Sequence, residues 1–346
     1  MSPLSVRIFL IFFGLYASGL AQIRAQNRVQ IGLEQDNNVL ESLSHAQSDQ
    51  SARLLISTRA WWQHSHGQVT LSGQAGVQGY RQVTRDHKSI QQLMLTSRIN
   101  VSGTRLGMKG WVRNKVYFNK NHDYTILGGA PFWSVPFFDI HTISVGVETE
   151  RLAYSSFPRY NYHRLGITGL VRTRLSRQLL ISAMIINDRY QVNRPALRYH
   201  PTSFTWQTLG EDIENREMRI GMSVDWFSGW LLQASVFYGN NRSNSQGFAF
   251  RRWILSLNTS REINTVLVRL LIHLQHKTYT DDHFPDLPVD IDSEREESNF
   301  VIFDLSFPIF PAITLLSRIS WYRNASPFPM YYYDKVLFDI GLEYRF

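Results

Sequence analysis

The sequence predicts an all-β fold, a transmembrane antiparallel up-and-down β-barrel of about 14–16 strands. Apolar and polar residues alternate along many segments, and short and long connections alternate between those segments. Alternation follows from strand geometry, because successive side chains point to opposite faces. The segments run about 9 to 12 residues, which matches a membrane-crossing strand, whereas strands of soluble proteins average about 5–6.

The N-terminus has the features of a secretory signal peptide. Arg7 precedes a short apolar run that ends in small residues. The run is too short to span about 30 Å of hydrocarbon, so a cleaved signal is the better interpretation than a membrane anchor. We predict a cleaved signal peptide over residues 1–21, with cleavage after Ala21 or, as second choice, Ala25, and a single barrel domain over 22–346.

Composition excludes several classes of function. The chain has 0 cysteines, which excludes disulfides and cysteine-based redox, zinc or nucleophile chemistry. The formal net charge is +8, but no lysine-rich patch or helix accompanies it, so we expect no nucleic-acid partner. Aromatic residues make up 13% of the chain, which suits a barrel with aromatic girdles at two membrane interfaces.

The last strand shows the alternation most clearly. One of its faces carries Val336, Phe338, Ile340, Leu342, Tyr344 and Phe346, and the other carries Leu337, Asp339, Gly341, Glu343 and Arg345. Residues 105–118, 217–226 and 268–277 alternate in the same way, and helical spacing explains none of them. Arginine and lysine recur in mid-strand on the polar face. A barrel would expose these cations to its lumen.

The connections predict the topology. We expect tight periplasmic turns at 64–67, 102–104, 175–177, 228–229, 262–264 and 308–311, and longer outer loops near 35–50, 190–213, 240–247 and 279–298. The first strand is predicted to start near Val29. In the ambiguous region 120–140, residues 124–127 suggest a short strand and 131–136 a turn. Accepting the uncertain pair of strands in this region gives 16 strands and places both termini in the periplasm.

The end of the chain resembles the C-terminal signal of bacterial outer-membrane barrels, in which a terminal aromatic residue closes an alternating last strand. The resemblance implies recognition by the barrel assembly machinery and an outer-membrane location. The residues that match the signal are Phe338, Ile340, Leu342, Tyr344 and Phe346.

A shorter resemblance covers both ends of the chain. Residues 31–39 are similar to the first hairpin, and residues 324–328 with 333–335 to the last outer loop, of a broad group of barrels. This group includes the barrels of surface lipoprotein assembly modifiers and the porins encoded near exopolysaccharide genes. The periplasmic helical-repeat domain of the assembly modifiers is absent from this sequence.

The polar face of the strands is predicted to line the lumen. One interpretation is an ion-paired, solvated interior, which is the default for such barrels. The other is a constriction whose field favours anions, with Trp111 and Tyr117 placed to stack on sugar rings, which would suit an acidic saccharide. The candidate pore-lining residues are Arg105, Lys109, Trp111, Arg113, Lys115, Tyr117, Arg164, Arg172, Arg174, Arg219, Glu148, Glu150, Glu217 and Asp225.

Other chemistry has weaker support. The loop 280–298 is acidic, and its carboxylates could hold Ca²⁺ or bridge divalent ions to lipopolysaccharide, but their spacing follows no EF-hand pattern. We therefore predict no metal site, no cofactor and, because no motif places a nucleophile beside a base, no enzymatic activity. Outer-membrane lipid and lipopolysaccharide are the expected partners, and the oligomeric state is left open.

A barrel of this size should enclose an aqueous channel. The leading functional hypothesis is therefore a porin-like outer-membrane channel for small hydrophilic solutes, including anions. The alternatives are an export or assembly barrel for polysaccharide or surface lipoprotein, and a structural or adhesive barrel with an occluded lumen.

Overall fold

The computed structural model describes residues 22–41, 45–119, 122–281, 299–324 and 333–346. Over these ranges the chain forms one closed barrel in which sequential strands pair and the first strand pairs with the last, all antiparallel. The strands are β1 (Gln22–Asp36), β2 (Asp49–His64), β3 (Gly67–Tyr80), β4 (Lys88–Val101), β5 (Thr104–Tyr117), β6 (Tyr124–Phe137), β7 (His141–Tyr154), β8 (Tyr162–Arg174), β9 (Leu179–His200), β10 (Thr205–Phe227), β11 (Leu231–Ser243), β12 (Phe250–Ile263), β13 (Val266–Tyr279), β14 (Asn299–Phe310), β15 (Ile313–Asn324) and β16 (Tyr333–Arg345). The predicted fold class is confirmed, at the upper end of the predicted strand number.

Two short 3-10 helices, Thr84–Asp86 and Pro158–Tyr160, lie in the connections after β3 and β7. No helix in the described part of the chain is long and apolar enough to cross a membrane.

The two ends of the barrel differ in their connections. Short turns lie at 65–66, 102–103, 138–140, 175–178, 228–230, 264–265 and 311–312, and the first and last strands begin and end on the same side. We call this side the short-turn end. The opposite side, the long-loop end, carries most of the longer connections, which confirms the alternation that the sequence predicts.

Several boundaries differ from the sequence prediction. The predicted turns at 262–264 and 308–311 begin only after Ile263 and Phe310, the last residues of β12 and β14. Residues 131–136 form no turn but belong to β6, and the turn follows at 138–140. Because Pro131 has no backbone N–H to donate, the β6–β7 ladder is interrupted between Gly129 and Phe132 and continues in the same register on either side. The first strand begins at Gln22 rather than near Val29, because its polar N-terminal residues pair with β2 along their full length.

The predicted loop over 190–213 is instead the end of a long hairpin. β9 has 22 residues and β10 has 23, whereas the other strands have 12–16. The extension carries polar and apolar residues on both faces, so it lacks the regular alternation that marks a strand in the barrel wall. Neighbouring connections hold it: the Leu197 N–H donates to Ser245 Oγ at 3.0 Å and the Asn193 N–H to the Asn161 carbonyl at 2.9 Å.

The apolar face of the barrel points outward. On β16, Phe338 and Ile340 are 45% and 42% exposed, whereas Asp339 and Glu343 are 2% and 3% exposed. Directly opposite residues in a ladder share a face, so the pairing register carries this assignment around the barrel. The exterior therefore carries a wide band of exposed apolar side chains, and the polar residues lie on the inner wall.

Candidate solute pathway

The inner wall holds every candidate that the sequence analysis named. Glu217 of β10 is 2% exposed, and its register partners on β9 and β11 are Asp188 and Asn241, which are also buried. Continuing from partner to partner assigns one face of each strand to the interior. The residues of the candidate set that fall on this face are Arg105, Lys109, Trp111, Arg113, Lys115, Tyr117, Glu148, Glu150, Arg164, Arg172, Arg174, Glu217, Arg219 and Asp225. Their role in lining a pore stays a prediction.

An alternating series of acids and bases crosses the inner wall near the long-loop end. Arg164 donates from Nη1 to Glu148 Oε1 at 2.8 Å and from Nε to Asp188 Oδ1 at 3.0 Å. Asp188 is fully buried and also accepts a hydrogen bond from Arg219. We call the series Glu148, Arg164, Asp188, Arg219, Glu217 and Arg252 the ion-pair chain; it joins strands β7, β8, β9, β10 and β12.

The ion-pair chain ends in a bidentate contact. Arg252 donates from Nε and Nη2 to the two carboxylate oxygens of Glu217, each at 2.6 Å. Its Nη1 donates to Gln275 Oε1 at 3.0 Å, which extends the chain to β13. Fork-to-fork contacts between guanidinium and carboxylate are among the strongest hydrogen bonds in proteins. This part of the wall is therefore held by charges that neutralise one another.

A second set of ion pairs lines the part of the wall that includes the closure between β16 and β1. Asp304 accepts hydrogen bonds from both Arg269 and Arg318. Arg53 of β2 pairs with Asp339 of β16, with Nη2 and Oδ2 2.5 Å apart. The Asp304 contacts join β13, β14 and β15, and the Arg53–Asp339 pair joins strands from the two ends of the chain.

Glycines on the inner face make room for these side chains. A Cβ atom at Gly166 would lie 2.3 Å from Asp188 Oδ1, and one at Gly239 would lie 2.8 Å from Glu217 Oε1. The two carboxylates therefore lie against the backbone of the neighbouring strand. A larger residue at either glycine would push them into the lumen.

Gly128 makes room for the aromatic ring of Trp111 in the same way. A Cβ atom there would lie 2.2 Å from Trp111 Cε2 and Cζ2, and the indole Nε1 donates to Glu150 Oε2 at 3.1 Å. The ring lies flat on the wall, so the stacking on passing sugars that the sequence suggests would need the ring to swing inward.

We predict that Gly128→Ala destabilises the barrel by about 1–3 kcal/mol, the usual cost of overpacking, because Trp111 must leave the wall. Urea unfolding in detergent micelles measures this change. Gly110→Ala, where the nearest atom to an added Cβ is 3.9 Å away, is the control and should change the free energy of unfolding little. Equal effects of the two substitutions would contradict the assigned position of the ring.

A group of cations without acidic partners lies on the inner wall nearer the short-turn end. Within the described ranges none of its members has a carboxylate oxygen within 4.0 Å, and all are exposed. We call these residues the cation group: Arg59, Arg98, Lys109, Arg172 and Arg174.

The cross-strand neighbours explain why the cation group is unpaired. Lys109 lies opposite Thr96 and Ala130, and Arg98 lies opposite Gln68 and Gly107. Arg59 likewise faces Gln26 and Ser72, and Arg172 faces Thr142 and Ser182. These neighbours are neutral and none is larger than glutamine. None of these directly opposite side chains therefore neutralises the cations, which face the water of the lumen.

The lumen is open at this level. Met94 of β4 lies on the inner face by register, level with Arg59 across Ser72, yet it is 39% exposed. An inward side chain can be exposed only if water fills the space in front of it. A recess of about 330 Å³ opens beside the cation group and is lined by residues that include Arg28, Arg59 and Gln74.

Sequence reasoning missed several members of these clusters. Arg59 and Arg98 were not among the candidates, and neither were Asp188 and Arg252. The alternation of β4 would have assigned Arg98 to the inner wall, because its neighbours Ser97 and Ile99, near a predicted turn, belong to the opposite face. The partners of Asp188 depend on the register between distant strands, which the sequence does not display.

Some of the predictions concern residues outside the ranges that the structure describes, and they stay predictions. The signal peptide over 1–21, the acidic loop apart from residues 280–281, and residues 325–328 of the last outer loop lie outside them. No group of three or more potential ligands that could hold a metal ion occurs in the described ranges. The apolar residues of the C-terminal signal all lie on the outward face of the last strand and are exposed.

Comparison with known proteins found similarity among solved structures. No family model matches the chain, and no curated protein sequence is similar to it. Among solved structures, Acinetobacter baumannii OccAB2 has a TM-score of 0.47 at 8% identity, with 94% of this chain and 98% of that chain covered. Pseudomonas aeruginosa OccK11 (OpdR) has a TM-score of 0.45 at 11% identity, with 93% and 95% covered.

A structure titled bacterial polysaccharide outer membrane secretin has a TM-score of 0.43 at 9% identity, with 92% of this chain and 98% of that chain covered. At such identities these likenesses concern the fold alone. The closed barrel of 16 strands is itself the porin-like architecture that the sequence predicts.

Proposed function

We propose that this protein is an outer-membrane channel through which small hydrophilic solutes pass, with a preference for anions. The observation that carries the proposal is the exposed cation group on the inner wall. Its five members face water and lack neutralising carboxylates among the described residues.

The exterior supports the membrane part of the proposal. Apolar side chains such as Ile220 and Leu342 are half exposed all along the outward face. In water such a band would cost about 25 cal/mol for each Å² of apolar surface. In a bilayer it contacts hydrocarbon at no such cost. The short-turn end then faces the periplasm and the long-loop end faces the outside.

The two levels of the inner wall differ in their electrostatics. Nearer the outside, the ion-pair chain is internally neutralised and packed against the strands. Nearer the periplasm, the cation group gives the water a positive potential, and a low-dielectric wall focuses that potential into the lumen. Anions are concentrated there and cations are depleted. The preference should weaken in high salt, because the Debye length falls from about 10 Å at 0.1 M to about 3 Å at 1 M.

Planar bilayer recordings test this function directly. Purified protein should give discrete conductance steps, and a potassium chloride gradient should give a reversal potential of the sign expected for chloride preference. The shift should shrink as both solutions are made more concentrated. An occluded structural barrel would give no steps, and preference for potassium would contradict the role of the cation group.

A further inference from the structure

Four arginines form a row on the outward face of β9–β12, close to the long-loop end. Arg189 lies directly opposite Arg216, and Arg216 lies directly opposite Arg242. Arg251 of β12 lies opposite Asn240, one same-face step from Arg242. All four side chains are exposed. We call Arg189, Arg216, Arg242 and Arg251 the arginine row.

Like charges placed directly opposite one another destabilise a sheet, because their Cβ atoms are only about 5 Å apart. Glu214 contacts two members, with its carboxylate oxygens 2.6 Å from Arg189 Nη2 and 2.5 Å from Arg216 Nε. Among the described residues no carboxylate lies within 4.0 Å of Arg242 or Arg251. The four arginines are therefore contacted by one carboxylate, and the arginine row keeps a net positive charge.

The arginine row lies at the border of the apolar band nearest the long-loop end. On the same face, one or two steps toward the middle of the barrel, lie Ile185, Met218, Tyr238 and Trp253. Ile185 and Met218 are each 47% exposed. The rings of Tyr238 and Trp253 are 5.0 Å apart between centroids, as a pair of aromatic residues at a membrane interface would be. The guanidinium groups therefore reach the height of the lipid headgroups.

We propose that the arginine row binds the phosphate groups of a phosphorylated glycolipid of the outer leaflet, with its acyl chains on the apolar surface below. The inference rests on the membrane placement in the proposed function and goes beyond it, since it assigns a lipid site on the outer wall. Guanidinium groups bind phosphate oxygens in bidentate fashion. Four of them on adjacent strands, about 4.8 Å apart, span the width of one disaccharide headgroup with two phosphates. Charge complementarity and the apolar surface directly below select such a lipid.

The test measures binding of lipid A by the refolded barrel in detergent micelles. Diphosphorylated lipid A is titrated into the wild type and into the triple variant Arg189→Gln, Arg216→Gln, Arg242→Gln. We expect the triple variant to bind about tenfold more weakly, because three charge-assisted contacts are lost. The control is Arg323→Gln, since Arg323 is also outward-facing and near the long-loop end but lies opposite Asp334. It should leave binding unchanged.

Two further arms identify the ligand. Dephosphorylated lipid A should bind wild type as weakly as diphosphorylated lipid A binds the triple variant, and inorganic phosphate at millimolar concentration should not displace the intact lipid. Equal binding by wild type and the triple variant, strong binding of the dephosphorylated lipid, or displacement by inorganic phosphate would each overturn the proposal. Heat-modifiable gel migration verifies that each variant is folded. Bilayer conductance, recorded separately, should be the same in wild type and the triple variant, so a failed lipid site and a failed channel are distinguishable.

Discussion

The triple substitution Arg59→Glu, Arg98→Glu, Lys109→Glu is expected to change the barrel from an anion-preferring to a cation-preferring channel. The three side chains are exposed on the inner face of β2, β4 and β5, and their cross-strand neighbours are neutral. Replacing three positive charges with three negative ones changes the local charge by six units. Because neighbouring carboxylates do not compensate, the potential at this level should change sign.

The measurement is the reversal potential in a potassium chloride gradient, which should change sign between wild type and the triple variant. A matched control is Arg261→Glu on the outward face of β12, near the short-turn end, where Arg261 packs over Trp230 with 5.2 Å between its guanidinium carbon and the ring centroid. It changes the net charge but not the lumen, so selectivity should stay as in wild type. If the triple variant remained chloride-selective while conducting normally, the cation group would not govern passage.

The fold was predictable from sequence because the barrel reverses the usual arrangement of polar and apolar faces in a regular way. Between Val336 and Tyr344 of β16, and between Met218 and Trp226 of β10, every second residue is apolar and faces the exterior, so the alternation alone assigns each side chain to a face. The face of every candidate residue follows from the same alternation. Positions such as Arg105 and Arg219 could therefore be assigned to the interior before any pairing was known.

The cation group and the ion-pair chain were only partly predictable, because some strands carry apolar residues on both faces. In β2, Leu54, Leu55 and Ile56 are consecutive apolar residues. Because the inward Leu55 interrupts the alternation of polar and apolar residues, the sequence does not show that Arg59 faces the interior. In β9, the inward Ile186 similarly hides Asp188. The extra apolar residues are tolerated because the interior is wide and the polar wall surrounds them. Which acid meets which base depends on cross-strand register, which long-range pairing sets.

The ion-pair chain should have a large effect on stability, and Asp188 is the residue to test. It is fully buried and accepts hydrogen bonds from Arg164 and Arg219, whose side chains are 16% and 19% exposed. Asp188→Ala would leave two mostly buried guanidinium groups short of a partner. Removing one member of a buried pair costs about 3–5 kcal/mol, and we expect about 3 kcal/mol because water in the lumen still reaches both arginines.

Urea unfolding in micelles, followed by gel migration without heating, measures the loss of stability in the Asp188→Ala variant. Asp225→Ala is the matched control, since Asp225 is an inward carboxylate of β10 that accepts one 3.1 Å hydrogen bond from Gln233 and contacts no arginine in the described residues. Its loss should cost about 0.5–1 kcal/mol, the ordinary net value of one hydrogen bond. Asp188→Asn keeps the shape and loses the charge, so its unfolding midpoint should lie between the two. Equal midpoints for Asp188→Ala and Asp225→Ala would mean that the arginines find other partners and that the ion-pair chain does not hold β8, β9 and β10 in register.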